Sequence, residues 1–350
     1  MKLNTAKKLT AGALALSMMF AMATPAFALT SPEVQYSDMT SVTFTKTYEA
    51  TNPNTTSPEE TFKFDIVGVG VTDAASGVTI ETYGMPTVGT VSYEAGEAGS
   101  ANKAKKITVD LPAYGSVGIY TYKITEKAQG TAGVTYWGKD IILKVTVIEQ
   151  GGKIRVAAVH TEDAKAGGIY DTSKGENSTK NDNFPNTYSA GSLAVTKNVT
   201  GNLGDKDKKF EVTVTFKAPE GKTVKEAIKY SEDGKDKTIA TSAWKNDEAE
   251  VKIHLADAHT VTFTNIPYDV TYTVVEKDYK TTDGYDPAVY AFSDDNKKID
   301  SANDTVTITN NKGGTVDTGV ILDNAPYILM LTVVAGGAMM LVIKKRREEE

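Results

Sequence analysis

Apolar and polar side chains alternate along short runs of the chain between Tyr36 and Asn310. A period of two places every second side chain on the same face of a strand, so these runs predict β-strands with one buried face. Turn-forming clusters such as EQGG at 149–152 separate the runs, and only short stretches such as TVKEAIKY have helical character. Regular short strands without a strand–helix–strand rhythm predict an all-β fold built of β-sandwiches.

Six polar residues interrupt this pattern, because they lie on strand faces that are otherwise apolar. Lys46, for example, shares its face with Phe44 and Tyr48. An unpaired buried charge is strongly destabilising, so such placements require a reason. The six residues form two sets in the same order along the chain: Lys46, Glu126 and Asn186, then Lys197, Glu276 and Asn310.

A chemical reason is that a buried Lys, Glu and Asn together can form a Lys–Asn amide bond. Burial disfavours the ammonium form of Lys, which gives an amine nucleophile, and it keeps the Glu protonated. A protonated carboxyl can hydrogen-bond the Asn carbonyl, polarise it and transfer protons while ammonia leaves. The alternative is that common residues lie at strand ends by chance, and two ordered sets make this the weaker interpretation.

Both ends of the chain carry predicted processing signals. Lysines, an apolar run and the closing segment AFA are typical of a secretory signal peptide at residues 1–28. Residues 315–350 contain the pentapeptide TVDTG, an apolar run long enough to span a bilayer, and a basic cluster followed by glutamates. A plain tail anchor is the alternative interpretation of this second end.

Composition narrows the class of protein. The net charge is -7, and it becomes about -10 for residues 29–318, because the first 28 residues carry three lysines without acids and residues 319–350 are neutral. An acidic mature chain argues against nucleic acid as a partner. The chain has no cysteine, so a secreted form needs another source of stability, which an isopeptide bond in each domain would supply.

The two sets also locate a domain boundary. The first set ends at Asn186 and the second begins at Lys197, so the join falls near Ser189. We predict two tandem Ig-like β-sandwich domains, at residues 29–189 and 190–314, with the first and last strands of each domain cross-linked. The short interval between the two sets predicts a short and stiff join.

The chain resembles the backbone pilins of Gram-positive bacteria, in particular the two-domain streptococcal type with isopeptide-linkage domains. The matching segments are FTKTYE, YTYKITE and FPNTY, then LAVTKNVTGNLGDKDKKFEVTV, YTVVEKDY and VTITNNK. The resemblance implies a structural subunit rather than an enzyme, with no cofactor. It also implies one bond in each domain: Lys46 with Asn186, assisted by Glu126, and Lys197 with Asn310, assisted by Glu276.

The same resemblance implies assembly by a sortase, which joins the C-terminal Thr of one subunit to a Lys of the next. The cut would fall between Thr318 and Gly319, although TV stands here in place of the family's usual Leu-Pro. The acceptor would lie just before the last strand of the first domain, where Lys180 is the candidate and Lys174 the runner-up. The implied partners at the Gram-positive cell surface are further copies of the chain, sortase and cell-wall peptidoglycan, with a host surface as a further candidate.

Two other functions remain open at this stage. A singly wall-anchored adhesin would share these features without polymerising, and a tail-anchored enzyme acting on glycans would need paired carboxylates in an open cleft. No metal centre is predicted, because the three histidines lack the spacing of metal ligands. The acidic turns, such as those at Asp205 and Asp294, remain candidates for calcium as the weaker alternative to solvated turns.

Overall fold

The computed structural model describes residues 38–164 and 180–315 of the 350-residue chain. Within these residues the chain forms two β-sandwiches, each built of two sheets. The all-β, two-domain fold expected from the alternating pattern is therefore confirmed. The predicted signal peptide and membrane-spanning segment lie outside the described residues, and no helix of the described part is long and apolar enough to cross a membrane.

The first sandwich contains ten strands. They are β1 (Ser41–Ala50), β2 (Glu60–Thr72), β3 (Thr87–Val88), β4 (Val91–Tyr93), β5 (Ala104–Asp110), β6 (Gly118–Lys127), β7 (Val134–Thr135), β8 (Ile141–Gln150), β9 (Lys153–Asp163) and β10 (Asn183–Tyr188). One sheet has the order β3-β5-β1-β10-β7, and the other has the order β4-β2-β6-β8-β9. The apolar faces of both sheets supply one shared core, so the predicted alternation corresponds to buried and outward positions.

The second sandwich contains the remaining nine strands. They are β11 (Ala190–Thr200), β12 (Phe210–Lys217), β13 (Ile228–Glu232), β14 (Lys235–Ile239), β15 (Glu248–Leu255), β16 (Thr260–Pro267), β17 (Thr271–Glu276), β18 (Val289–Phe292) and β19 (Asn303–Asn311). Its sheets have the orders β14-β13-β16-β11-β19-β18 and β15-β12-β17. Its core again combines side chains from both sheets.

The first and last strands of each sandwich are parallel neighbours in one sheet. Strand β1 pairs with β10, and Tyr48 lies opposite Asn186. Strand β11 pairs with β19, and Val199 lies opposite Asn310. In both pairs the Lys of the set lies two residues before the residue opposite the Asn. Because side chains two residues apart share a strand face, the Lys and the Asn point into the same core.

A single residue connects the two sandwiches. Strand β10 ends at Tyr188 and β11 begins at Ala190, so only Ser189 lies between them. Ser189 is held on both sides, because its N–H donates to the Gly133 carbonyl at 2.9 Å and its carbonyl accepts the Tyr268 N–H at 3.0 Å. This short connection agrees with the predicted join, while the domain limits given above stay a prediction.

The helical character expected for TVKEAIKY is wrong. Ile228–Glu232 form strand β13, which pairs with β14 and β16. Ile228 is fully buried and Tyr230 packs against Phe263, so packing on the sheet overrides the helical preference of the preceding Lys, Glu and Ala. Within the described part of the chain, Lys280–Asp283 form the one α-helix, α1.

We predict that Gly191→Ala destabilises the second sandwich, because a Cβ at this position would lie 2.2 Å from the carbonyl oxygen of Ser301. Overpacking of this kind costs about 1 to 3 kcal/mol. The melting temperature of the two-domain protein should fall. Gly138→Ala is the control, since a Cβ there meets nothing within 4 Å. Equal melting temperatures for the two variants would contradict the prediction.

Candidate functional site

All six polar residues singled out by the sequence are buried in the two cores, so their predicted burial is confirmed. They form two separate sites, one in each sandwich. In each site the Lys and the Asn project from the parallel pair of terminal strands, whereas the Glu projects from the other sheet. Glu126 lies on β6 and Glu276 lies on β17.

In the first site, Glu126 bridges the amine and the amide. Lys46 Nζ donates to Glu126 Oε2 at 3.0 Å and to the Phe184 carbonyl at 2.8 Å. Asn186 Nδ2 donates to Glu126 Oε1, and Asn186 Oδ1 accepts the main-chain N–H of Trp137 at 2.8 Å. The nucleophile, the carboxyl and the amide that the proposed chemistry requires are therefore within hydrogen-bonding distance in one buried group.

The second site has nearly the same arrangement. Lys197 Nζ lies 2.8 Å from Glu276 Oε2, an ion-pair contact rather than an aligned hydrogen bond. Asn310 Nδ2 donates to Glu276 Oε1 at 2.6 Å. The difference from the first site is at the carbonyl, because Asn310 Oδ1 accepts a hydrogen bond from Lys197 Nζ itself.

The contacts of the two carboxyls differ from the sequence-based hypothesis. That hypothesis placed each carboxyl on the Asn carbonyl oxygen, whereas both contact the amide nitrogen. Another donor contacts the carbonyl oxygen instead, namely the Trp137 N–H in one site and the Lys197 amine in the other. A carboxyl in this position accepts from the amide group and lies next to the nitrogen that would leave as ammonia.

An aromatic ring closes each site beneath the Lys, and the sequence analysis missed both rings. Lys46 Nζ lies 4.3 Å from the ring centroid of Phe62, and Lys197 Nζ lies 4.2 Å from that of Phe210. Each Phe lies on the strand that pairs with the strand of the Glu, two residues before the residue directly opposite that Glu. The ring offsets part of the cost of burying an ammonium group. The available signal was a Phe at the start of the second alternating run of each domain.

The electrostatic environment favours the neutral forms of both amines and of the carboxyl in the first site. Burial lowers the pKa of Lys46 to about 8, although the charge of Glu126 acts in the opposite direction. Burial also lowers the pKa of Lys197. The pKa of Glu126 is raised, mainly by burial, while Lys46 and Asn186 oppose the rise. A neutral amine and a protonated carboxyl are the forms that amide exchange requires.

The residues predicted for assembly are only partly within the described residues. Lys180 is exposed and forms a β-bridge with Glu162 of β9, shortly before β10 begins. Lys174, Thr318 and Gly319 lie outside the described residues. Within residues 38–164 and 180–315, no three His, Cys, Asp or Glu side chains are grouped so that they could hold a metal ion.

Comparison with known proteins places this geometry in context. Residues 42–189 match the FctA family, described as a Spy0128-like isopeptide containing domain, and residues 191–312 match a domain family of unknown function, DUF7601. A curated pilin of Streptococcus pyogenes serotype M1 is 27% identical over 303 residues, which cover 83% of this chain and 86% of the pilin. The resemblance to streptococcal pilins is confirmed. The chain is a pilin-like structural protein.

Solved pilin structures share the fold. The major pilin of Streptococcus pyogenes is 22% identical, and the match covers 79% of this chain and 99% of the pilin chain, with a TM-score of 0.50. The T3.2 major pilin of the same species is 20% identical with the same coverage and a TM-score of 0.51. At this level of identity the two structures support the architecture of paired sandwiches and leave the roles of individual residues to the geometry above.

We predict a distinctive pH dependence for Asn186→Ala, which leaves Lys46 as a buried free amine. Its pKa of about 8 lies below the ordinary value of 10.5, so the unfolded chain binds more protons between these pH values. Stability should therefore rise as the pH increases from about 8 to 10.5, by up to about 1.4 kcal/mol for each pH unit. The measurement is the free energy of unfolding in urea at several pH values.

The control is the double variant Lys46→Met, Asn186→Ala, which lacks the amine but keeps every tyrosine that titrates in the same range. The difference in unfolding free energy between the two variants isolates the contribution of the amine. A difference that stays flat or falls with rising pH would contradict the lowered pKa of Lys46.

Proposed function

We propose that this chain is the shaft subunit of a covalently polymerised, sortase-assembled surface pilus, in which each domain carries an autocatalytic Lys–Asn isopeptide bond. The observation that carries the proposal is the repeated buried set of Lys, Glu and Asn, which occurs with the same strand register in both sandwiches. The pilin relative and the isopeptide-domain match support it.

Bond formation starts from the neutral amine of Lys46, whose Nζ attacks Cγ of Asn186. The protonated Glu126 gives its proton to the departing Nδ2 through Oε1 and takes the proton that Nζ loses through Oε2. A C–N bond to Nζ forms, the C–N bond to Nδ2 breaks, and ammonia leaves. The second site presents the same groups on the same sides of its carboxyl. The reaction needs no cofactor and no external reactant.

The fold makes such a reaction efficient by holding the partners in place. Each carboxyl contacts both the amine and the amide in a buried core, so the entropy cost of bringing the partners together is met during folding. The reaction also replaces a buried amine, which is costly to bury whenever it is protonated, with a neutral amide. Each bond would close a loop of more than 100 residues, which by the chain-entropy estimate for disulfides stabilises a domain by about 4 to 5 kcal/mol.

Polymerisation would join a donor near the C-terminus of one subunit to an acceptor lysine in the first sandwich of the next subunit. The proposed donor is Thr318, after cleavage before Gly319, and the proposed acceptor is Lys180, with Lys174 as the alternative. Lys180 has the exposure that an external enzyme requires, and it lies beside an edge strand of the first sandwich. Sortase, peptidoglycan and further copies of the chain are the partners in this proposal, and the Gram-positive cell wall is its location.

The first test of the proposal is the mass of the mature two-domain protein. We expect it to be lighter than the sequence mass by two molecules of ammonia, one for each site. Glu126→Ala and Glu276→Ala should each restore the mass of one ammonia, because each removes the proton transfer in one site only. Glu49→Ala, which alters an exposed carboxylate on β1, is the matched control and should keep both bonds. An unmodified wild-type mass would contradict the bond chemistry.

The second test addresses assembly. Lys180→Ala, or Lys174→Ala if the first variant has no effect, should abolish the covalent ladder on cells and leave secretion and both internal bonds intact. The measurement is electrophoresis of cell-wall extracts after boiling in detergent, with the cognate sortase present. A ladder in both single variants and in the double variant would contradict the acceptor assignment. A wild type that never forms a ladder would favour the singly anchored adhesin.

A further inference from the structure

One segment of the first sandwich presents a main-chain donor to the first site. Residues 130–137 include strand β7, which pairs with β10 just beyond Asn186. The Trp137 N–H at the end of this segment donates to Asn186 Oδ1 at 2.8 Å. That oxygen gains negative charge when an amine attacks the carbonyl carbon. The N–H therefore lies where an oxyanion donor stabilises the transition state.

The buried carboxylate of Glu60 holds this segment. Glu60 is only 1% exposed, and its oxygens accept the Thr131 hydroxyl at 2.8 Å and the Tyr136 hydroxyl at 3.2 Å. The Thr131 N–H in turn donates to the Tyr136 hydroxyl at 3.3 Å. These bonds fix the beginning of the segment and the residue directly before Trp137, so they determine where the Trp137 N–H points.

The second sandwich contacts the same segment from the other side. Lys225 Nζ lies 2.9 Å from Glu60 Oε2. The Thr223 N–H donates to the Gly130 carbonyl at 2.8 Å, and the Thr223 carbonyl accepts the Ala132 N–H at 2.9 Å. In the described part of the chain, Lys225 is the one cation within ion-pair distance of Glu60. A buried carboxylate depends strongly on such a partner.

We propose that docking of the second sandwich completes the isopeptide site of the first. Lys225 and Glu60 act as positioning residues, which hold the Trp137 N–H on the carbonyl of Asn186. The inference rests on the proposed Lys–Asn bond and adds to it a dependence of one domain on the other. The first bond would therefore form rapidly only after the two sandwiches have docked.

Glu60 also acts on the carboxyl of the site. Burial is the main cause of the raised pKa of Glu126, and the charge of Glu60 adds to the rise. A protonated Glu126 supplies the proton for the leaving ammonia. Removal of the Glu60 charge and displacement of the Trp137 N–H therefore act in the same direction, and both slow the first bond.

The second site supplies an internal control. Asn310 Oδ1 accepts its hydrogen bond from Lys197, and among residues 38–164 and 180–315 no main-chain N–H donates to it. Glu60 and Lys225 contact neither of these residues. Changes at the contact between the sandwiches should therefore affect the first bond and leave the rate of the second unchanged.

The test follows both bonds over time in the two-domain protein. Cell-free synthesis is stopped with acid at intervals, and each cross-linked peptide is quantified by mass spectrometry. We expect Lys225→Gln and Glu60→Gln to slow the first bond about tenfold or more, a part of the 10²- to 10³-fold effect of losing one oxyanion donor. Lys225→Arg keeps the charge and should restore the rate. Lys229→Gln, at an exposed lysine nearby, should change neither bond.

A backbone substitution tests the donor itself. Replacement of Trp137 by its α-hydroxy analogue changes the N–H to an ester oxygen and keeps the indole, and it should slow the first bond by about 10² or more. The same replacement at Trp244, whose N–H donates to the Thr241 carbonyl in the second sandwich, is the matched control. This variant and Lys225→Gln decide the question even if Glu60→Gln does not fold.

Each outcome has a separate meaning. A wild-type rate for the first bond in Lys225→Gln and Glu60→Gln would overturn the positioning role of the pair. A wild-type rate in the Trp137 ester would overturn the donor role of the main chain. Equal slowing of both bonds would show general destabilisation and would also overturn the proposal. A wild type that forms neither bond would instead contradict the proposed function.

Discussion

The burial of a lysine beside a glutamate and an asparagine, between two sheets, is the interaction on which both sandwiches depend. Separately, these groups would oppose folding, because each would lose its hydration without a partner. Together they satisfy one another, and the register of the parallel terminal strands brings them together. Lys46 and its Phe184 hydrogen-bond partner are 138 residues apart. The reacting groups therefore meet only when nearly the whole domain has folded, so the proposed bond can form only in the native structure.

The two sites share a register but differ in how the carbonyl is polarised. In both, the Lys lies two residues before the partner of the Asn, and a Phe lies beneath the amine. A main-chain N–H contacts the carbonyl in the first site, whereas the amine itself contacts it in the second. The shared features come from the sandwich, while the difference comes from the segment at 130–137, which the second sandwich contacts.

The alternating pattern predicted the all-β class and the burial of the six polar residues, because a charged side chain on an apolar face is conspicuous in a sequence. Phe62 and Phe210 escaped notice because a Phe on an apolar face is ordinary. The Trp137 N–H carries no signal, since a main-chain donor is independent of the side chain. The ion pair between Glu60 and Lys225 joins residues 165 positions apart, so no local sequence pattern predicts it. The helical prediction for the segment TVKEAIKY was wrong because pairing with neighbouring strands outweighs the local helix preference.

With the proposed bonds in place, the topology also determines how tension would pass through the chain. Because β1 and β10 are parallel neighbours, opposed forces on the two ends of the first sandwich would shear this pair. A bond between Lys46 and Asn186 would carry that force directly, and the residues between them would bear none of it. The force would then cross Ser189 to β11 and pass from Lys197 to Asn310. Hydrogen bonds alone would yield one after another under such a load, whereas a covalent bond between adjacent terminal strands removes most of each domain from the path of the force.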